Sequence, residues 1–189
     1  MAMSVMFSFV DETRSPALQW LQHFFFWFVT LGVVVFFVFI LKSMAVAKFA
    51  IATALFVVVA LMLVFFLRYG RPVQQKHFLL SGMFFLLFTG ITGVLYIILS
   101  HFPGHYATWG RLLLNSHSYL ALYGWSLSGM LVLIRWNDFP LRVNSLRVIG
   151  IHWIALGIMA PLGKTSLTAA LITISLYLYF LSLFFQRDR

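Results

Sequence analysis

Cysteine is absent from the 189 residues, and acids are nearly so: Asp11, Glu12, Asp138 and Asp188 are the only carboxylates. The first absence excludes disulfides, thiolate metal sites and thiol nucleophiles, and leaves the redox compartment unread. The second removes the buried acid that proton pumps and many transporters use, since none of the four falls within an apolar run. There is also no Walker phosphate loop, no nucleotide-binding glycine fingerprint and no Ser/His/Asp arrangement. The segment "APLGKTS" lacks the first glycine of a phosphate loop and follows no strand pattern. No basic run is interleaved with aromatics, so nucleic acid is not an expected partner. No inverted repeat or pair of broken helices is visible, which ranks small-molecule transport last.

What is present is apolar. The chain is 62% hydrophobic and 9% charged, with a mean hydropathy of +0.99, and no water-soluble domain of this length tolerates that balance. Runs of about 20 apolar residues, each able to cross ~30 Å of hydrocarbon as a helix, recur between short polar breaks. The expected fold is an all-α integral membrane bundle of six spans in one domain, at 17–41, 44–67, 78–100, 112–134, 144–163 and 166–186. The fifth is the weakest, closed early by Pro161 and Gly163, and five spans remain an alternative. The first ten residues lack a basic leader and are followed by Asp11, Glu12, Thr13 and Arg14, so residues 1–16 are expected to form an interfacial segment, with the first span as the insertion signal.

Basic residues sort by side. Arg14, Arg68, Arg71, Lys76, Arg135, Arg142, Arg147, Arg187 and Arg189 collect at one end of the expected bundle. Lys42, Lys48, Arg111 and Lys164 collect at the other. Nine against four places both termini on the cytoplasmic side of a multi-pass protein of the cell inner membrane, and makes the +9 net charge an orientation signal.

Ionisable groups within hydrocarbon are costly, so the histidines carry the functional reading. His117 lies six residues after Arg111, about 9 Å below the outer edge, and His152 lies about 18 Å below it. Residues 117, 121, 124 and 128 share one helical face and read His, Ala, Gly, Ser. Small residues beside His117 and at Gly124 admit either a flat cofactor or a neighbouring helix. Depth pairs His117 most readily with His101 or His105 if two imidazoles are to hold one heme. Pro103 and Gly104 separate His101 from His105, so those two are not expected on one helical face, and an outer zinc or copper site there lacks a third ligand. His152 is read as a core histidine bonded to a neighbouring helix and kept as a further candidate ligand. His23 and His77 read as interfacial or headgroup-level residues. Gly90 and Gly93, in "TGITG", suggest helix contact.

The stretches "KHFLLSGMFFLLFTGITGVLYIILSHFP" and "GRLLLNSHSYLALYGWSLSGMLVLIRW", within residues 76–136, resemble the first two helices of subunit I in the heme-copper oxidase and nitric oxide reductase superfamily. The resemblance implies that His117 takes the place of a low-spin heme ligand near the outer end of the second helix, with Gly124 and Trp125 as the Gly-Trp that follows. The family's later His-x-His pair and its further metal-ligating histidines are missing, which excludes oxygen or nitric oxide reduction within this chain.

Two expectations follow. In the first, the chain is a membrane subunit of an electron-transfer complex, with His117 as metal ligand to a b-type heme and the second ligand from His101, His105 or a partner subunit. In the second, it is a structural or assembly subunit without a cofactor. A pigment held by His117 alone is a third possibility.

Overall fold

The computed structural model describes residues 2–10, 16–164 and 166–186, and it is helical almost throughout. The short α1 (Ala2–Phe7) precedes α2 (Pro16–Leu41), α3 (Ala45–Tyr69) and α4 (Gln74–Leu99). Next comes α5, spanning 103–134, in which α-helical Pro103–Tyr119 and Leu127–Ile134 flank a π-helical segment, Leu120–Ser126. In α6, spanning 145–162, a second π segment, Ile154–Met159, separates Ser145–Trp153 from Ala160–Leu162. The last helix, α7, is Leu167–Phe185. Five of these, α2, α3, α4, α6 and α7, are long and apolar enough to cross a membrane. The chain is thus an all-α membrane bundle.

The expected fourth span, 112–134, lies within α5, whose dihedrals stay helical through both junctions (−64°, −39° at Leu120 and −69°, −39° at Leu127). The helix starts earlier than expected because Pro103 occupies its first turn, where a missing N–H costs nothing. The break between α2 and α3 falls at Lys42 and Ser43, between the first two expected spans. There Ser43 takes a left-handed φ of 55°, its N–H reaches Ile40 O, and Met44 N–H reaches Phe39 O. These are the two bonds of a Schellman end, with serine where glycine usually sits.

Packing radiates from α4. It touches α3 on one side, α5 along all three of its segments on another, and the first part of α6. α2 leans on α3 and α7 leans on α6, so these two are the outer helices. Where the chain loops at the end shared by Phe9, Gly70 and Gln186, polar groups tie the helices together. Arg71 N–H donates to Phe9 O at 2.8 Å, and Gln74 bridges to the 139–144 connection by donating Nε2–H to Leu141 O and Val143 O while accepting from Leu141 N–H. Lys76 Nζ closes the last turn of α3 by donating to Leu67 O and Gly70 O, both at 2.9 Å. Arg68, Arg71, Lys76, Arg135, Arg142 and Arg147 all belong to helix ends and connections on this side, as the charge sorting required. Arg14, Arg187 and Arg189 lie outside the described residues, as do the acids Asp11, Glu12 and Asp188. Within the 1–16 segment, α1 buries Met6 and the turn after it buries Val10, while the Phe9 ring packs 5.0 Å from that of Trp136.

Gln74→Ala leaves three backbone groups of the 139–144 connection without their partner. It is expected to lower stability by about 1–3 kcal/mol, read as an earlier thermal transition in detergent. Ser43→Gly relieves the left-handed backbone and is expected to stabilise the chain by up to ~1 kcal/mol in the same assay.

Candidate functional site

The His117 face meets α4, and the two helices interlock residue by residue in antiparallel order. A Cβ placed on Gly82 would lie 2.9 Å from Ser128 Cβ, and one on Gly124 would overlap the Phe85 ring. Gly93 sits against His117, with the imidazole 3.1 Å from where its Cβ would be. Each glycine therefore receives a larger side chain from the opposite helix, and the backbones approach closely, as small residues allow in lipid. Phe85 is fully buried in the Gly124 notch. Gly90, on another face of α4, receives Phe56 of α3, so the two glycines of "TGITG" serve two different helix contacts.

His117 Nδ1 lies 2.9 Å from Thr89 O. A carbonyl only accepts, so Nδ1 carries a proton, and in the neutral ring Nε2 keeps the lone pair. Nε2 has no hydrogen-bond partner among the described residues. Its residue is half-buried.

His152 sits deeper. Its Nε2–H donates to Tyr123 O at 2.9 Å, its ring stacks on Phe180 at 4.3 Å, and it is 2% exposed. The π segment of α5 bears on this contact. Leu127 N–H bonds Leu122 O, five residues back, and the wider turn presents the Tyr123 carbonyl to α6. The π segment of α6 follows directly after His152 and Trp153, and the two π segments touch. Trp153 donates Nε1–H to buried Ser81 Oγ at 3.0 Å and stacks on Phe85 at 4.0 Å. His152, Trp153, Ser81 and Phe85 thus lock α6 onto α4 and α5.

The ligands expected from the sequence do not converge. His117 lies level with Thr89 and Gly93, whereas His101 stands eight residues past Gly93, about 12 Å further along the axis. His105 is twelve residues before His117 on α5, about 18 Å away along it. His101 Nδ1 donates to Ile97 O at 3.0 Å, and His105 is exposed in the first turn of α5. His152 is bonded at Tyr123, six residues inward of His117, about 9 Å. His117 thus stands about 12 Å along the bundle from the level of His101 and about 18 Å from that of His105, so the expected pairing of His117 with either is not at one depth. The face reading His, Ala, Gly, Ser, with Gly124 at its centre, is filled by Phe85 and the rest of α4, so a porphyrin does not fit between the two helices. Among the described residues no three His, Asp or Glu side chains are placed to hold a metal ion together.

Two features escape sequence reasoning. One is the crevice of about 270 Å³ between α5 and α7, lined by Tyr119, Tyr123 and Tyr177 and floored by Leu156 and Ala160. Tyr119 and Tyr123 lie four residues apart on α5, and Tyr177 of α7 joins them only in the folded bundle, its ring 6.0 Å from that of Tyr123. The other is Arg135, 8% exposed at the end of α5, which a count of charges treats as an orientation signal alone.

Gly124→Ala is expected to destabilise the bundle by about 1–3 kcal/mol through overlap with Phe85. Adding Phe85→Leu should return part of that loss, and a double-mutant cycle of thermal unfolding reads the coupling. His152→Phe keeps the stack on Phe180 but orphans the Tyr123 carbonyl, and is expected to cost about 1–3 kcal/mol.

No family model, no curated protein and no solved structure matches the chain.

Proposed function

We propose that this chain is a structural subunit of a larger membrane complex, a helical scaffold without catalytic residues of its own. The observation that carries the reading is the use to which the polar intramembrane side chains are put. His117 bonds the backbone of α4, His152 bonds the backbone of α5, and Trp153 bonds Ser81, so each joins two helices. Apolar side chains are exposed on every long helix, the two outer ones included. Trp20 and Trp27 of α2 are 67% and 54% exposed, and Leu167, Leu171, Ile174 and Leu178 of α7 are exposed as well. Faces of this kind are covered by lipid or by neighbouring subunits.

One observation favours a second reading, an electron-transfer subunit with a b-type heme at its edge. His117 has the tautomer that metal-binding histidines use, with Nδ1 held by a backbone carbonyl and Nε2 unbonded among the described residues. Its Nε2 would be one axial ligand, and a partner subunit would supply the other. The heme would bring the redox chemistry, and this chain would orient the imidazole through Thr89 and Gly93.

The experiment is a reduced-minus-oxidised absorption spectrum of the complex that co-purifies with the chain, for wild type and His117→Ala. The scaffold reading expects unchanged heme content per complex, with a modest loss of thermal stability. A b-type α-band that disappears with the substitution would establish the second reading.

The basic end is proposed to face the cytoplasm, following the excess of Lys and Arg there. The absence of cysteine makes this easy to test. A membrane-impermeant thiol reagent applied to intact cells is expected to label Ser43→Cys and to leave Asn137→Cys unlabelled; the reverse pattern would invert the topology.

A further inference from the structure

At the basic end, α7 finishes beside the end of α5 with its last carbonyls uncapped by its own ladder. Arg135 takes them: Nη1–H donates to Phe184 O and Gln186 O, while Nε–H donates to Asp138 Oδ2 at 2.7 Å. The guanidinium is a five-donor fork. Its Nη2 makes no hydrogen bond among the described residues, although the residue is 8% exposed. A cleft of about 180 Å³ opens next to it, bordered by Arg135, Arg142, Leu141, Val143, Phe184 and Gln186.

The cleft is two-sided in character. Arg135, Arg142 and Gln186 border one part, and Leu141, Val143, Leu183 and Phe184 border the rest. The one acid bonded there among the described residues, Asp138, engages Arg135 through its Nε side and is itself half in water, at 54% side-chain exposure. Trp136, 42% exposed in the turn that follows α5, marks the headgroup level at which aromatic belts sit. A buried Arg with an unused N–H pair, a second Arg and an adjoining apolar wall together fit a phosphate that carries acyl chains. Phosphate oxygens accept from guanidinium donors in the strong charge-assisted geometry, and the apolar wall suits the lipid portion, which free phosphate would leave uncovered.

We propose that this cleft binds the phosphate of an anionic phospholipid from the leaflet at the basic end, with Arg135 Nη2 and Arg142 as its donors. The lipid links the end of α7 to the 139–144 connection and so holds the outermost helix to the bundle. The inference stands whichever reading of His117 holds.

The test uses the full chain in vesicles of phosphatidylcholine alone, or of equal parts phosphatidylcholine and phosphatidylglycerol. Phosphatidylglycerol should raise the thermal transition, and the lipid should remain bound in native mass spectra. Arg142→Gln should weaken retention about fivefold. Arg68→Gln, a basic residue of the same end that lies over the Tyr69 ring instead of the cleft, should leave retention unchanged. Equal losses in both variants would mean diffuse surface charge and overturn the proposal. Protection of the phosphatidylcholine sample by inorganic phosphate to the same degree would assign the cleft to the free ion and overturn the lipid. Stronger lipid retention in Asp188→Asn than in wild type would mean that the chain's own carboxylate serves the arginines, which also overturns it.

Discussion

Hydrocarbon offers no hydrogen-bond partner, so any polar group placed in it must find one within the protein, and the arrangement of this bundle follows from that constraint. His117, His152 and Trp153 are too polar to face lipid unbonded, and each bonds a group on another helix. Those three bonds act between helices whose apolar side chains have little reason to prefer one another over lipid. They select one register from the many that greasy surfaces alone would permit.

Register then decides the rest of the centre. Once His117 is held at Thr89, the antiparallel course of α4 and α5 brings Phe85 to Gly124 and Gly82 to Ser128. The fit has shape as well as polarity, since a side chain at Gly124 would overlap Phe85. The π segments belong to the same solution. A wider turn in α5 presents the Tyr123 carbonyl where His152 needs it, and the wider turn in α6 follows immediately after the residues that make the contact. The polar end obeys the constraint in another way. Gln74, Lys76 and Arg135 satisfy the backbone of connections and helix ends, where helices leave carbonyl and amide groups without partners.

Composition and periodicity alone make much of this arrangement legible. The apolar runs fall where α2, α3, α4, α6 and α7 lie, and Arg68, Arg71, Lys76, Arg135, Arg142 and Arg147 gather at one end. The reading of His152 as a core histidine bonded to a neighbouring helix matches its bond to Tyr123 O. The reading of "TGITG" as helix contact matches as well, although its two glycines serve different neighbours. The pattern around His117 is harder to read, because small residues beside a histidine suit a porphyrin and a helix equally well. Only the position of Phe85, 39 residues before Gly124 in the chain, distinguishes the two.

The sequence by itself determined the membrane class, the helices, the sorting of charge and the shortage of ligands. Each of these depends on what a residue is, or on its spacing within one helix. Tertiary structure alone decided that His117 holds its proton on Nδ1, that Gly124 accepts a phenyl ring, and that His101 and His105 stand well away from both deeper histidines. It also decided that Arg135 keeps an N–H pair unbonded, among the described residues, beside a cleft. The physical reason is that side-chain partners in a bundle belong to different helices. Which of them meet is set by rotation and register between helices, and no local periodicity encodes either.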